Sequence, residues 1–198
     1  MSLIGIRIVK AILRMHCCVT ARPKGVNMTN SFGQTAAPTI AIVGSFRQFL
    51  ADVSSAREVF VQAGVVVTSP RDSVVIEPGI DFVRFPSDRE DLDDATVQTV
   101  ALHRILGADA VYVVAPAGYV GKTTCYELGR IIQLDRPLYF SEMPCDLPVH
   151  VPPGAIVTPA ELADVAADGS FKRWSEWGDG MNHELERDLL EARPDTSL

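Results

Sequence analysis

The chain has 198 residues, 47% hydrophobic and 22% charged, enough apolar material for one domain with a proper core but not for two. Five of the 18 basic residues precede Met28 and no acidic residue precedes Asp52, so the main body carries 13 basic against 25 acidic side chains within a net charge of −7. That balance argues against a nucleic-acid polymer as partner, and no apolar run approaches the roughly 18 residues that argue for a membrane span. The four cysteines, Cys17, Cys18, Cys125 and Cys145, form no C-x-x-C and have no histidine at ligand spacing. They suggest free thiols in a reducing cytoplasm, with no metal and no cofactor expected.

Residues 1–38 read as a disordered or non-native extension. The apolar stretch from Ser2 to Leu13 is broken by Arg7 and Lys10, small and polar residues follow to Pro38, and Met15 and Met28 are alternative starts. A targeting or membrane-surface segment is the other reading of that stretch. Order is expected from Thr39, where Thr-Ile-Ala-Ile-Val-Gly makes a buried strand stopping at Gly44. Helical spacing follows from about Phe49 to Ala63, with Phe49, Val53, Ala56, Val59, Phe60 and Ala63 on one stripe, and a second strand runs up to Pro70.

From Arg71 to Asp91 the pattern fades into a long loop with one short strand at Val74 to Ile76. A helix from about Asp93 to Leu106 closes at Gly107, and the apolar run Ala110 to Ala115 makes the next strand. A glycine loop, a helix from about Thr124 to Leu134 and a strand at Pro137 to Phe140 complete the alternation. Strands that are apolar throughout, separated by amphipathic helices, predict an α/β fold, a Rossmann-like or flavodoxin-like three-layer sandwich with a mostly parallel sheet. The α/β domain is expected over 39–143. Residues 144–198 are expected as a C-terminal extension with short helices, one capped by Thr158 with Pro159 in its first turn and one from about His183 to Ala192. Trp174 and Trp177 suit a cover for the domain or an oligomer contact better than a ligand cage.

Chemistry concentrates between Ala108 and Gly129, where a buried strand, a glycine loop and a helix N-terminus make a small-ligand site at the carboxyl end of a parallel sheet. Gly121-Lys122-Thr123 imitates a nucleoside-triphosphate loop, but the glycine required five places earlier is Pro116, which has no amide to donate. Thr124-Cys125-Tyr126-Glu127 has the spacing of a capping box, the plain structural reading of Glu127.

Val43 to Arg47 after the first strand, taken with Ala108 to Arg130, whose loop and helix read Gly-Tyr-Val-Gly-x-Thr-Thr-x-Tyr-Glu-Leu-Gly-Arg, resembles the nucleoside 2-deoxyribosyltransferase superfamily. The likeness covers about residues 39–141 and is closest to the 2'-deoxynucleoside 5'-phosphate N-hydrolases. The resemblance implies that Glu127 is a nucleophile attacking the anomeric carbon of a nucleoside or nucleotide, ionised with the help of the helix N-terminus. It places Gly44, Ser45 and Arg47 beside the nucleotide, Arg47 as a phosphate partner. Gly118, Gly121, Thr123 and Thr124 would offer amides and hydroxyls to a phosphate, and Tyr119 would stack on the base or shield the loop. It also implies a homo-oligomer, since such sites are built across subunit contacts.

The family's assisting aspartate falls on Ala101. His103 is the stand-in for proton transfer to the leaving base, with Asp72, Asp91, Asp93 and Asp94 as further carboxylates. Two other readings stay open. One is a nucleotide-binding or sensing module without chemistry; the other is a phosphoribohydrolase of the lysine-decarboxylase-like superfamily, whose glycine loop Pro116 to Lys122 fits only loosely.

Overall fold

The computed structural model describes residues 36–72, 84–86, 89–145, 147–178 and 181–191, of which those from Ala37 on belong to one compact unit. The expected extension lies outside these residues up to position 35, as does the strand expected at Val74 to Ile76. Strands β1 (Thr39–Gly44), β2 (Val66–Ser69), β3 (Ala110–Val114) and β4 (Leu138–Phe140) form a single all-parallel sheet in the order β2-β1-β3-β4. The fold is α/β, Rossmann-like or flavodoxin-like. Every residue of β3 and β4 is buried, which is why those strands read as unbroken apolar runs: a parallel strand covered on both faces has no solvent side to encode.

The pleat divides the core in two. Ile40, Ile42, Tyr112 and Val114 face α1 (Phe46–Gln62), which buries Val53, Ala56 and Phe60 against them. Ala41, Val43, Val111 and Val113 face the other way, toward Ile105 of α2 (Asp94–Gly107) and Leu128 and Ile131 of α3 (Lys122–Gln133). The chain leaves β1 for β2 on one side and returns through β3 to β4 on the other, so right-handed crossovers require helices on both faces.

Several boundaries differ from the sequence reading, those of α1 and α3 among them. Helix α1 starts at Phe46 rather than Phe49, and Phe49 itself is non-helical (φ −127°, ψ 36°), a break that hid the first turn from a periodicity count. At its other end Ala63 is exposed, off the buried stripe, because the helix has already stopped at Gln62. Helix α3 starts at Lys122, ahead of Thr124.

The stretch after 143 supplies core. Helix α4 (Pro159–Asp168) packs on α1 and buries Leu162, Ala163 and Ala166 in the same cluster as Phe60. Trp174 is buried beside Phe140, and Trp177 stands edge-on to Tyr139 with ring centroids 5.9 Å apart, so both tryptophans cover the sheet. A last helix, α5, spans Met181–Leu190. Among the described residues no helix is long and apolar enough to cross a membrane.

Candidate functional site

The carboxyl ends of β1 and β3 lie side by side, and the chain leaves them toward opposite edges of the sheet. At such a switch point the two loops diverge and leave a crevice. Here the crevice is a pocket of about 490 Å³, within the range of small-ligand sites. Its floor is the end of β1, its sides are the first turns of α1 and α3, and Gln98, Ala101 and Ile105 of α2 close it.

Gly44 is required by packing. A Cβ there would lie 2.7 Å from the carbonyl oxygen of Val114, so only glycine lets β1 run this close to β3 at the pocket floor. Ser45 then caps α1 through its carbonyl, which accepts from the amides of Gln48 and Phe49, while its side chain makes no capping bond. Arg47 follows on the pocket wall. Phe46 meets Phe85 edge-on at 5.6 Å, and Phe49 meets Tyr119 at 5.8 Å, so aromatic rings stand on two sides of the opening.

The loop after β3 is pinned from behind. Ser141 accepts from the Ala115 amide, Glu142 accepts from the Ala117 amide, and the Cys145 amide donates to the Gly118 carbonyl. Gly118 (φ +74°) has no room for a Cβ, which would overlap the Cys145 sulfur and come within 2.7 Å of the Met143 carbonyl oxygen. Gly118 is therefore a scaffold position and does not line the pocket; its expected role as a direct ligand-binding residue is corrected on that ground. Gly121, Thr123, Thr124 and the 40%-exposed Tyr119 do line it.

Gly121 is the N-cap of α3, and the first intrahelical bond runs from the Cys125 amide to its carbonyl. The amides of Lys122, Thr123 and Thr124 thus have no intrahelical acceptor and open at the pocket end of the helix. The Thr124 side chain is only 2% exposed, lines the pocket and makes no hydrogen bond among the described residues. The expected capping box of Thr124 and Glu127 does not form, because Gly121 has already taken the N-cap position three residues upstream.

Glu127 instead sits in the second turn, 7% exposed, with Oε1 accepting a 3.0 Å hydrogen bond from Gln98 Nε2. Oε2 accepts no hydrogen bond among the described residues, and the residue lines the pocket. Burial pushes the carboxyl up to about 7, partly opposed by the Gln98 bond. The expectation of a carboxylate kept ionised by the helix N-terminus is corrected to that extent: Glu127 lies past the open amides, and its burial favours the protonated form.

The other acid–base candidates are not in the pocket. His103 is exposed; two residues on from Ala101, it is roughly 200° round the helix from the pocket face. Asp72 follows the end of β2 and is partly buried outside the pocket, to which β2 contributes Ser69. Asp91 pairs with Arg89, Asp94 with Arg84, and Asp93 caps α2 by accepting from the Thr96 amide. Among the described residues no group of three or more His, Cys, Asp or Glu side chains could hold a metal ion.

Gln98, like Phe46 and Phe85, lines the pocket without having been expected there. Its signal was present, since Gln98, Ala101 and Ile105 fall on one helical stripe, and a polar residue on a buried stripe needs a partner. No family model, curated protein or solved structure matches the chain.

Proposed function

We propose that this pocket cleaves or transfers the N-glycosidic bond of a (deoxy)nucleoside or nucleoside 5'-monophosphate, with Glu127 as nucleophile. The observation that carries the reading is a buried carboxylate lining a pocket at the switch point of a parallel sheet, one oxygen accepting from Gln98 and the other accepting no hydrogen bond among the described residues. Ionised Oε2 attacks the anomeric carbon, the C–N bond breaks, and the base leaves with the bonding electron pair and takes up a proton from water. The resulting glycosyl ester passes its sugar to water or to a second base, and the carboxylate is restored. Phe46, Phe85 and Tyr119 offer ring faces to the base, and Arg47 with the open amides of α3 offers positive potential to a 5'-phosphate. A homo-oligomer, with a second copy completing the pocket, belongs to the same reading and rests on resemblance.

A second reading follows from Ala101. It lines the pocket with a methyl group at the place where the resembling family carries an assisting carboxylate. A pocket that binds nucleotides without turning them over fits that substitution.

One experiment separates the two. Nucleosides and their 5'-monophosphates are incubated with the protein, with and without an acceptor base, and free base is followed by chromatography. The expected result is release that falls about 10³-fold or more in Glu127→Ala while the circular dichroism spectrum is unchanged. Nucleotide binding without release by the wild type would decide for the binding module.

A further inference from the structure

Among the described residues, Gln98 is the pocket-lining group hydrogen-bonded to Glu127. We propose that Gln98 is a positioning residue for Glu127: by donating Nε2–H to Oε1 it fixes the carboxylate's orientation, makes Oε2 the attacking oxygen, and sets the pH at which the group becomes a nucleophile. The inference rests on the glycosidase reading for its chemistry, but its physical content is the coupling between the two side chains.

Three observations converge. The bond is 3.0 Å long and joins residues 29 apart in sequence, so it ties α2 to α3 at the pocket. Glu127 is 7% exposed and accepts no second hydrogen bond among the described residues, so one donor dominates its orientation. The α2 face toward the pocket, Gln98 with Ala101 and Ile105, carries no charge that could replace that donor. The charged or titratable groups sharing the pocket come from elsewhere: Arg47 on α1, Lys122 at the start of α3 and Tyr119 in the loop. An amide is suited to this task because it stays neutral throughout the working range. A carboxylic acid in its place would share a proton with Glu127 and tie the nucleophile's charge to its own titration.

The test pairs a spectroscopic readout with a kinetic one. The Glu127 carboxyl carbon is titrated by ¹³C NMR in wild type, Gln98→Met and Gln98→Glu, after circular dichroism has shown each to be folded. Gln98→Met keeps length and removes the donor, and it should move the Glu127 midpoint upward by about one pH unit, the scale of one hydrogen bond to a charged group. The acid limb of base release should move with it. On the alkaline plateau kcat should stay about tenfold below wild type with KM within about twofold, because orientation is lost even when the charge is present. Gln98→Glu should give a bell-shaped profile, active while the pair holds one proton and failing when both groups ionise. An unchanged Glu127 midpoint in Gln98→Met overturns the proposal, as does a kcat equal to wild type at every pH. If wild type releases no base but the midpoint still moves, the glycosidase reading falls and the hold of Gln98 on Glu127 stands.

Discussion

Two helices in this molecule carry the same four-residue signature, Thr-x-x-Glu, and use it in opposite ways. At α4, Thr158 is the N-cap: its hydroxyl accepts from the Glu161 amide, and Glu161 reaches back to the Thr158 amide at 2.7 Å, a complete capping box. At α3 the same spacing occurs at Thr124 and Glu127, but the N-cap is Gly121, so both residues are carried into the helix and turned inward. The two glutamates then diverge. Hydrogen bonds from Thr158 hold the Glu161 carboxyl below the usual range, whereas burial pushes Glu127 up to about 7. A carboxylate at a helix end relieves open amides; one a turn further in costs desolvation, and the fold tolerates that cost at the pocket. A reactive carboxylate, as proposed for Glu127, would require such a cost, and the contrast between these glutamates shows where the fold carries it.

The sharpest way to break the comparison is to neutralise Glu127 and follow stability against pH. Its folded-state value lies above the unfolded one, from 4.5 to about 7, so the native state holds the proton more tightly. The associated stability is present below about pH 4.5 and is lost as pH rises to about 7. Glu127→Gln should therefore raise the unfolding free energy in urea by about 3 kcal/mol at pH 8, at 1.36 kcal/mol per pH unit, and by almost nothing at pH 4. Glu161→Gln, at the capped helix, should show no such growing gain, since its native hydrogen bonds favour the charged form. Equal pH behaviour in the two variants would remove the distinction.

A smaller effect sharpens the same contrast at the threonines. Thr158→Val removes an N-cap acceptor and should destabilise by about 1 kcal/mol. Thr124→Val removes a hydroxyl that caps nothing, and threonine and valine have similar helix propensities, so the loss should stay below about 0.5 kcal/mol. Urea unfolding of both variants at one pH checks this, and a comparable loss at both sites would mean that Thr124 caps α3 after all.

What made the fold legible was the sheet. Buried parallel strands leave a local record, and the runs at Thr39 to Gly44 and Ala110 to Val114 could be read without knowing any partner. The pocket's position followed, because both strands end in loops at the same sheet edge. The start of α3 was harder: Gly121 and Thr124 are both acceptable N-caps, and the decision between them is made by tertiary packing that buries Thr124 and Glu127. The bond from Gln98 to Glu127 was illegible for a different reason. It depends on how α2 and α3 sit over the sheet, and no local pattern encodes a contact between residues 29 apart. Gly118 shows a third kind of limit, since the loop glycine that looked like a ligand contact is held by the backbone of Met143 and Cys145.

The smallest expected effect separates face from spacing on α2. His103 is two residues from Ala101 and was the natural stand-in for a proton donor, yet a helix turns about 100° per residue and carries it away from the pocket that Gln98, Ala101 and Ile105 line. An exposed histidine with no line to Glu127 cannot pass a proton to a leaving base across the helix. His103→Ala should leave kcat/KM for base release within about twofold of wild type at every pH. A drop of tenfold or more confined to the acid side would show that His103 does reach the reaction, which in a single chain its place on α2 forbids and which would therefore require a second copy of the chain presenting its own α2 to this pocket.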